Sequence, residues 1–399
     1  MFTHAFIQTS RVVGATLSIL MMTGCGILLS VNSPLVDGGW EIENDIDDDL
    51  TLPEGTSYTI TDAIAVSAQL TIEPGVTLEF AQGAEMRLTS DGTLLALGAE
   101  DSPIVFTGTT KTPGWWNGIY IRSSDDMNNV IDHAIIEYAG RSAMHGSVEP
   151  ANLTVGRSLH SARIQVTNTV IRNSNAYGVA VHANGSLPDW SSNTITDNAA
   201  AAISTTASNI HYLDAQSSYT GNSIDAVEVD GNDVEMNEVI WQALDVPYHF
   251  AERTTITEGT LVFTPGITIA FEQGAQIDFR SGSEIIAEGS SDAPITFTAT
   301  QETPGWWYGV YLRNSNSLNN RMDYVIVEYA GRDALHGSVE PANLTVGRSL
   351  HDAYVEVTNS EFRYSDGYGI YVHGNGTTND NIESVNTFSN NAGGTVVMQ

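Results

Sequence analysis

The chain has 399 residues, enough for one large or two ordinary domains, and 41% hydrophobic content excludes general disorder. Its net charge of −33, with Lys111 the one lysine, repels phosphate backbones and excludes nucleic acid as a partner. A single cysteine excludes an intrachain disulfide framework.

Residues 1–24 read as a secretory signal. His4 and Arg11 lie at its start, and Val12 to Met22 form an apolar segment too short to span a bilayer. It ends in Met22-Thr23-Gly24-Cys25, which resembles a bacterial lipobox with methionine in place of the usual leucine. The resemblance implies a lipid on Cys25. Gly26, where an aspartate would signal otherwise, implies an outer-membrane lipoprotein anchored by its acyl chains, facing either way. Residues 25–50 read as an acidic tether, because the run Glu41 to Asp49 is dense in like charge and self-repels. Calcium is the one candidate ion there. EF-hand spacing is absent, and no cofactor is otherwise expected.

An internal repeat follows. Pro113-Gly114-Trp115-Trp116 recurs as Pro304-Gly305-Trp306-Trp307, an offset of 191 residues that holds without a gap from Pro74 to Gly185. Ile119-Tyr120-Ile121 becomes Val310-Tyr311-Leu312, and Val179-Ala180-Val181-His182 becomes Ile370-Tyr371-Val372-His373. Aliphatics exchange at alternate positions, the period of strands with one buried face. A sandwich, a propeller and a β-helix all fit that pattern. Short segments, irregular turns and asparagines at segment ends (Asn168, Asn193, Asn198) favour the β-helix, where stacked amides bond along the axis.

The segments Leu70 to Val76, Pro103 to Thr107 and Ile136 to Gly140 resemble coils of the right-handed parallel β-helix proteins of the pectin-lyase-like superfamily. Trp241 to Tyr248 resembles the entry into a new series of coils in that family. The resemblance implies an all-β, single-stranded right-handed parallel β-helix containing two duplicated units, 51–248 and 249–399, in one continuous solenoid. With coils of roughly 22 residues, about 15 coils at the usual strand spacing would make a rod about 70 Å long. Its last segment, Val396 to Gln399, would expose an open coil that meets a partner, a second copy or a local cover.

The candidate ligand site lies in a block kept without change between the copies, His145 to His160 and His336 to His351. It supplies His145, Glu149, Arg157 and His160 in one copy and His336, Glu340, Arg348 and His351 in the other, with Arg141 and Arg332 just before it. Arginines with histidines can hold an anion or a glycan, since guanidinium pairs bidentately with carboxylates. The same groups can instead form an internal network. Of Trp115-Trp116 and Trp306-Trp307, one of each pair is expected in the core and the other outside, where it would stack on a sugar. Asp125-Asp126, His145-Gly146 and Arg163-Ile164-Gln165 resemble the motif order of polygalacturonases, but Gln165 stands for lysine and the second copy has Asn316-Ser317 for the acid pair. The preferred reading is a lipid-anchored envelope rod that is structural or binds a polysaccharide without catalysis, gripping a long polymer at two sites. The alternative is a polysaccharide-degrading enzyme, a pectin-type lyase or glycoside hydrolase.

Overall fold

Alternation along short strands decides the architecture. In Ala63–Val66, Gln69–Ile72 and Thr77–Phe80 every second side chain is buried (Ile64, Val66, Leu70, Ile72, Leu78, Phe80). Such strands bury one face each and close on themselves as coils around an apolar interior. The computed structural model describes residues 40–399 apart from Ser147 and Ser338. The signal 1–24, Cys25 and the start of the tether lie outside the described residues.

The chain forms a parallel β-helix solenoid. Each strand pairs in parallel with the strand one coil away, as Ser57–Ile60 does with Thr77–Phe80 and Ala63–Val66 with Glu85–Leu88. Single residues in the left-handed region turn the chain from one face to the next, including His133, Asn168, Tyr324 and Asn359. The expected asparagine ladder is carried by Asn193 and Asn198. Asn198 Oδ1 accepts from Ser174 N at 3.0 Å, and the Asn198 amide in turn donates to Asn222 Oδ1. Asn168 is instead a corner, and its side chain donates to Asp132. Inside, Trp116 stacks on Phe80 at 4.0 Å and Trp307 on Phe271 at 4.1 Å. Trp241, at the entry to the second series, meets Phe263 edge-on.

The tether expected at 25–50 is corrected over its acidic part. Trp40–Ile42 pairs with Tyr58–Ile60, and Ile42 and Ile46 are buried, so the first coil begins ahead of residue 51. The carboxylates face outward and bond to the next coil. Asp45 Oδ1 accepts from Ala65 N at 2.7 Å, Asp47 Oδ1 from Ser67 Oγ at 2.6 Å and Asp49 Oδ1 from Gln69 N at 3.1 Å. These bonds, with isoleucine burial, offset the repulsion that would extend a free chain. The unit boundary after residue 248 falls inside the strand Tyr248–Phe250, through which the solenoid continues.

The two units are not stacked in phase. A thirteen-stranded sheet runs the rod, with an inner ladder through Met86, Ile119, Leu153, Val179, Ile203, Val227, Tyr248, Ile269 and Phe297. In the first unit this sheet holds Gly118–Ile121. Its repeat counterpart Val310–Leu312 lies in a different, eleven-stranded sheet. In the second unit the thirteen-stranded sheet instead holds Thr268–Phe271, the counterpart of Thr77–Phe80, which belongs to the separate seven-stranded sheet. The second unit is therefore turned by one face about the axis. Tyr248–Phe250, the counterpart of a segment of the seven-stranded sheet, makes the change by pairing with Ile224–Asp230 of the thirteen-stranded sheet. The eleven-residue strand Arg253–Phe263 follows, pairing with Gln276–Phe279 by its first half and Ser283–Ala287 by its second. Gly259 sits between the halves at φ +83°, where a Cβ would lie 1.5 Å from Met236 O, so only glycine fits.

Candidate functional site

Side chains that alternate out of a solenoid normally meet water. On the thirteen-stranded sheet the outward ladder Arg87, Tyr120, Thr154 does not, since Tyr120 and Thr154 are buried. The corresponding ladder of the second unit is Asp278, Tyr311, Thr345, and all three are buried. The long turn before Ala342–Val346 accounts for this, because its Leu335 and Val339 pack onto the outer side of the sheet at Tyr371 and Ala342.

Three buried polar atoms recur in both units without a hydrogen-bond partner among the described residues. They are the hydroxyls of Tyr120 and Tyr311, Thr154 Oγ1 and Thr345 Oγ1, and Nε of Arg157 and Arg348. A buried polar atom left unpaired costs about 1–3 kcal/mol, so the same orphans in both units call for a partner that is not part of the chain, a buried water or a ligand group.

Arginine surrounds them. Burial raises the Tyr120 hydroxyl pKa, while the charges of Arg157, Arg122 and Arg87 oppose that rise. Arg87 is itself lowered, by burial and then by Arg122, and its guanidinium pairs with Glu85. In the second unit Asp278 is fully buried, paired with Arg253, 3.5 Å from Arg280 and 3.9 Å from Arg313. Its Oδ1 also has no partner among the described residues. Tyr311 is pushed up to about 12 by burial, against the charges of Arg348, Arg313 and Arg253. A cavity of about 200 Å³ opens here, lined by Arg253, Tyr311, Arg313, His336 and Arg348. The two cradles thus draw seven of the chain's 15 basic residues to two places on an otherwise acidic molecule.

The identical block divides between the two roles expected of it. Its middle is core: Ala151–Val155 and Ala342–Val346 are buried throughout, and Asn152 Oδ1 accepts from Ala139 N at 2.9 Å. Its arginines, Arg157 and Arg348, enter the cradles, and His336 lines the second. His351 closes the tight turn Arg348–His351 and is lowered by desolvation and then by Arg348, Arg313 and His336. His145 lies beside His182, adding to the lowering that burial imposes there. His160 closes the tight turn Arg157–His160, which leaves Leu159 exposed at φ 68°.

Other expected residues lie elsewhere. Arg141 donates to Gly114 O at 3.4 Å and bonds through its amide to Trp116 O, so it belongs to the tryptophan turn. Arg332 makes the same backbone bond, to Trp307 O. Glu149 and Glu340 are exposed and act electrostatically on Tyr177 and Tyr371. The tryptophan pairs stand on turns before their strands rather than on strands. Trp116 and Trp307 are core, donating to Glu137 O and Glu328 O. Trp115 and Trp306 are half-buried against the core, with Nε1 bonded to Thr109 and Thr300. The cradle residues not picked out from the sequence, Arg87, Tyr120, Arg122, Arg253, Asp278, Arg280, Tyr311 and Arg313, lie at outward positions on strands or just past their ends. Their one signal was arginine clustering in a chain poor in cations.

The acid pair is engaged structurally. Asp125 accepts from Arg163 Nε at 2.6 Å. Asp126 accepts from Thr93 Oγ1 at 2.6 Å and from Asn128 N, and these bonds hold its carboxyl below the usual range. Asp125 and Arg163 line a groove of about 310 Å³ with His211 and Tyr212 at the unit junction. Among the described residues no three His, Cys, Asp or Glu side chains form a metal-ligand set.

Burial lowers His182, His211 and His249. These groups take up a proton less readily in the fold than when unfolded, so their contribution is complete above the unfolded pKa of about 6.5 and fades as pH falls below it. Calorimetry should show the thermal midpoint dropping between about pH 6.5 and 5, with a shallower drop in His249→Gln. An unchanged midpoint over that window would contradict the assignment.

A family model described as a pectate-lyase-like β-helix domain matches residues 44–186. A search of the curated proteins finds no match. A solved structure described as "Crystal structure of Agl-KA catalytic domain" aligns at 11% identity and TM-score 0.27, over 91% of this chain and 62% of that one. This chain thus spans less than two thirds of that neighbour's length. With its strands paired in parallel coil upon coil, the chain is a parallel β-helix, and its residues 44–186 are similar to the pectate-lyase-like β-helix family.

Proposed function

We propose that this protein is a non-catalytic, lipid-anchored rod of the outer membrane that binds acidic polysaccharide through its two arginine–tyrosine cradles. The observation that carries the reading is the recurrence, in both units, of the same unpartnered tyrosine, threonine and arginine atoms among clustered guanidiniums. A carboxylate or sulfate accepts from arginine, and neighbouring sugar hydroxyls pair with tyrosine and threonine. The pectate-lyase-like family match is consistent with a carbohydrate partner. The anchor follows from the lipobox resemblance at Cys25, and metabolic labelling with a fatty acid, lost in Cys25→Ser, tests it.

Retention on immobilised polygalacturonate tests the binding. A charge-assisted bond contributes about 1.5–3 kcal/mol, so Arg122→Ala with Arg313→Ala should weaken retention tenfold or more. Equal retention of variant and wild type would end the reading. The enzyme alternative draws on one observation, the buried Asp278 carboxylate beside Tyr311, where the first unit has Arg87. Release of shortened or unsaturated products by wild type, abolished in Tyr311→Phe, would establish that alternative instead.

A further inference from the structure

We infer that the two cradles bridge separate polyanionic chains instead of gripping one chain along its length, a role that rests on the glycan reading above. The first cradle lies on the outside of the thirteen-stranded sheet and the second on the outside of the eleven-stranded sheet. They face different directions because the second unit is turned by one face. Along the axis, Gly118–Ile121 is separated from the coil of Val310–Leu312 by seven strand steps, ending at Ala151–Val155, Tyr177–Val181, Ala201–Thr206, Ile224–Asp230, Tyr248–Phe250, Thr268–Phe271 and Ile295–Ala299. At the usual spacing between strands that is about 34 Å. One polymer filling both cradles would have to travel that distance and also turn a corner of the solenoid.

The surface between the cradles opposes such a path. Beyond Thr154 the outward ladder of the shared sheet runs through Ala180, Ser204, Glu228 and His249. Glu228 accepts from Tyr177 OH at 2.5 Å, and Asp230 lies close enough to Glu252 and Glu228 that both raise its pKa, after burial. A polyanion leaving the first cradle toward the second unit meets this carboxylate group directly. Each cradle therefore takes its own chain, and the rigid rod between them sets the separation.

The full mature protein and polygalacturonate decide the matter. Chains labelled with a donor fluorophore in one batch and an acceptor in another are mixed, and protein is titrated in. Energy transfer should rise and then fall in protein excess, as each chain becomes saturated by separate molecules. Arg122→Ala and Arg313→Ala, each disabling one cradle, should keep binding but lose the transfer. Arg122→Gln and Arg313→Gln serve if the alanine variants fold poorly, judged by their thermal midpoints. Binding by the wild type without transfer at any ratio would overturn bridging alone. Undiminished transfer in the single-cradle variants would also overturn it, assigning the effect to self-association. Absence of binding would remove the glycan reading and the bridge together.

Discussion

Alanine in place of Asn152, or of Asn343, should destabilise the protein by about 3 kcal/mol or more, because each buried amide serves several backbone groups. Asn152 Oδ1 accepts from Ala139 N at 2.9 Å, and its Nδ2 donates to Arg172 O at 2.8 Å and Ile136 O at 3.4 Å. Asn343 repeats the arrangement with Ala330 N, Arg363 O and Val327 O. Truncation removes the partner of each group, and water cannot replace it at a fully buried position. Stability in a solenoid is carried by neighbouring coils, so the loss should appear first as faster amide exchange at Ala139 and then as a lower urea midpoint. A loss below about 1 kcal/mol would show that the block's middle is kept for another reason.

Asp278→Ala should both weaken the fold and strengthen anion binding in the second cradle. The Asp278 side chain has no solvent exposure, while its partners Arg253, Arg280 and Arg313 keep 43%, 37% and 29%. Removing one partner of a fully buried pair costs about 3–5 kcal/mol; the arginines here retain water, so about 2–3 kcal/mol is expected at low salt. Three guanidiniums would then face one another without an internal anion. Added sulfate should restore most of the lost stability, and the affinity of the variant for polygalacturonate should rise. Arg87→Ala, at the corresponding ladder position, should do the reverse and lower anion affinity. Sulfate-independent stability in Asp278→Ala would mean that these arginines are not an anion cradle.

Much of the architecture was legible in the amino-acid order. Alternating aliphatics such as Ile119 and Ile121, and their exchange at an offset of 191, imply strands with one buried face repeated in series. The identical block also stood out, but its two roles did not separate, since sequence identity does not distinguish Asn152, bonded throughout to buried backbone, from Arg157, whose buried Nε has no partner among the described residues. Residues 41–49 looked like an extended tether because charge density is read locally, whereas the bonds from Asp45, Asp47 and Asp49 reach about one coil ahead.

What the sequence by itself determined was the repeated strand pattern, the scarcity of cations and the presence of one preserved block. Only the tertiary structure decided that Arg87, Tyr120 and Thr154 form one outward ladder, that Tyr120 and Thr154 on it are out of water, and that the second cradle faces another way. The physical reason is that coil stacking is set by hydrogen-bond register between distant strands. A single change of partner sheet at Tyr248–Phe250 turns the second unit by one face, and local side-chain periodicity carries no trace of that phase.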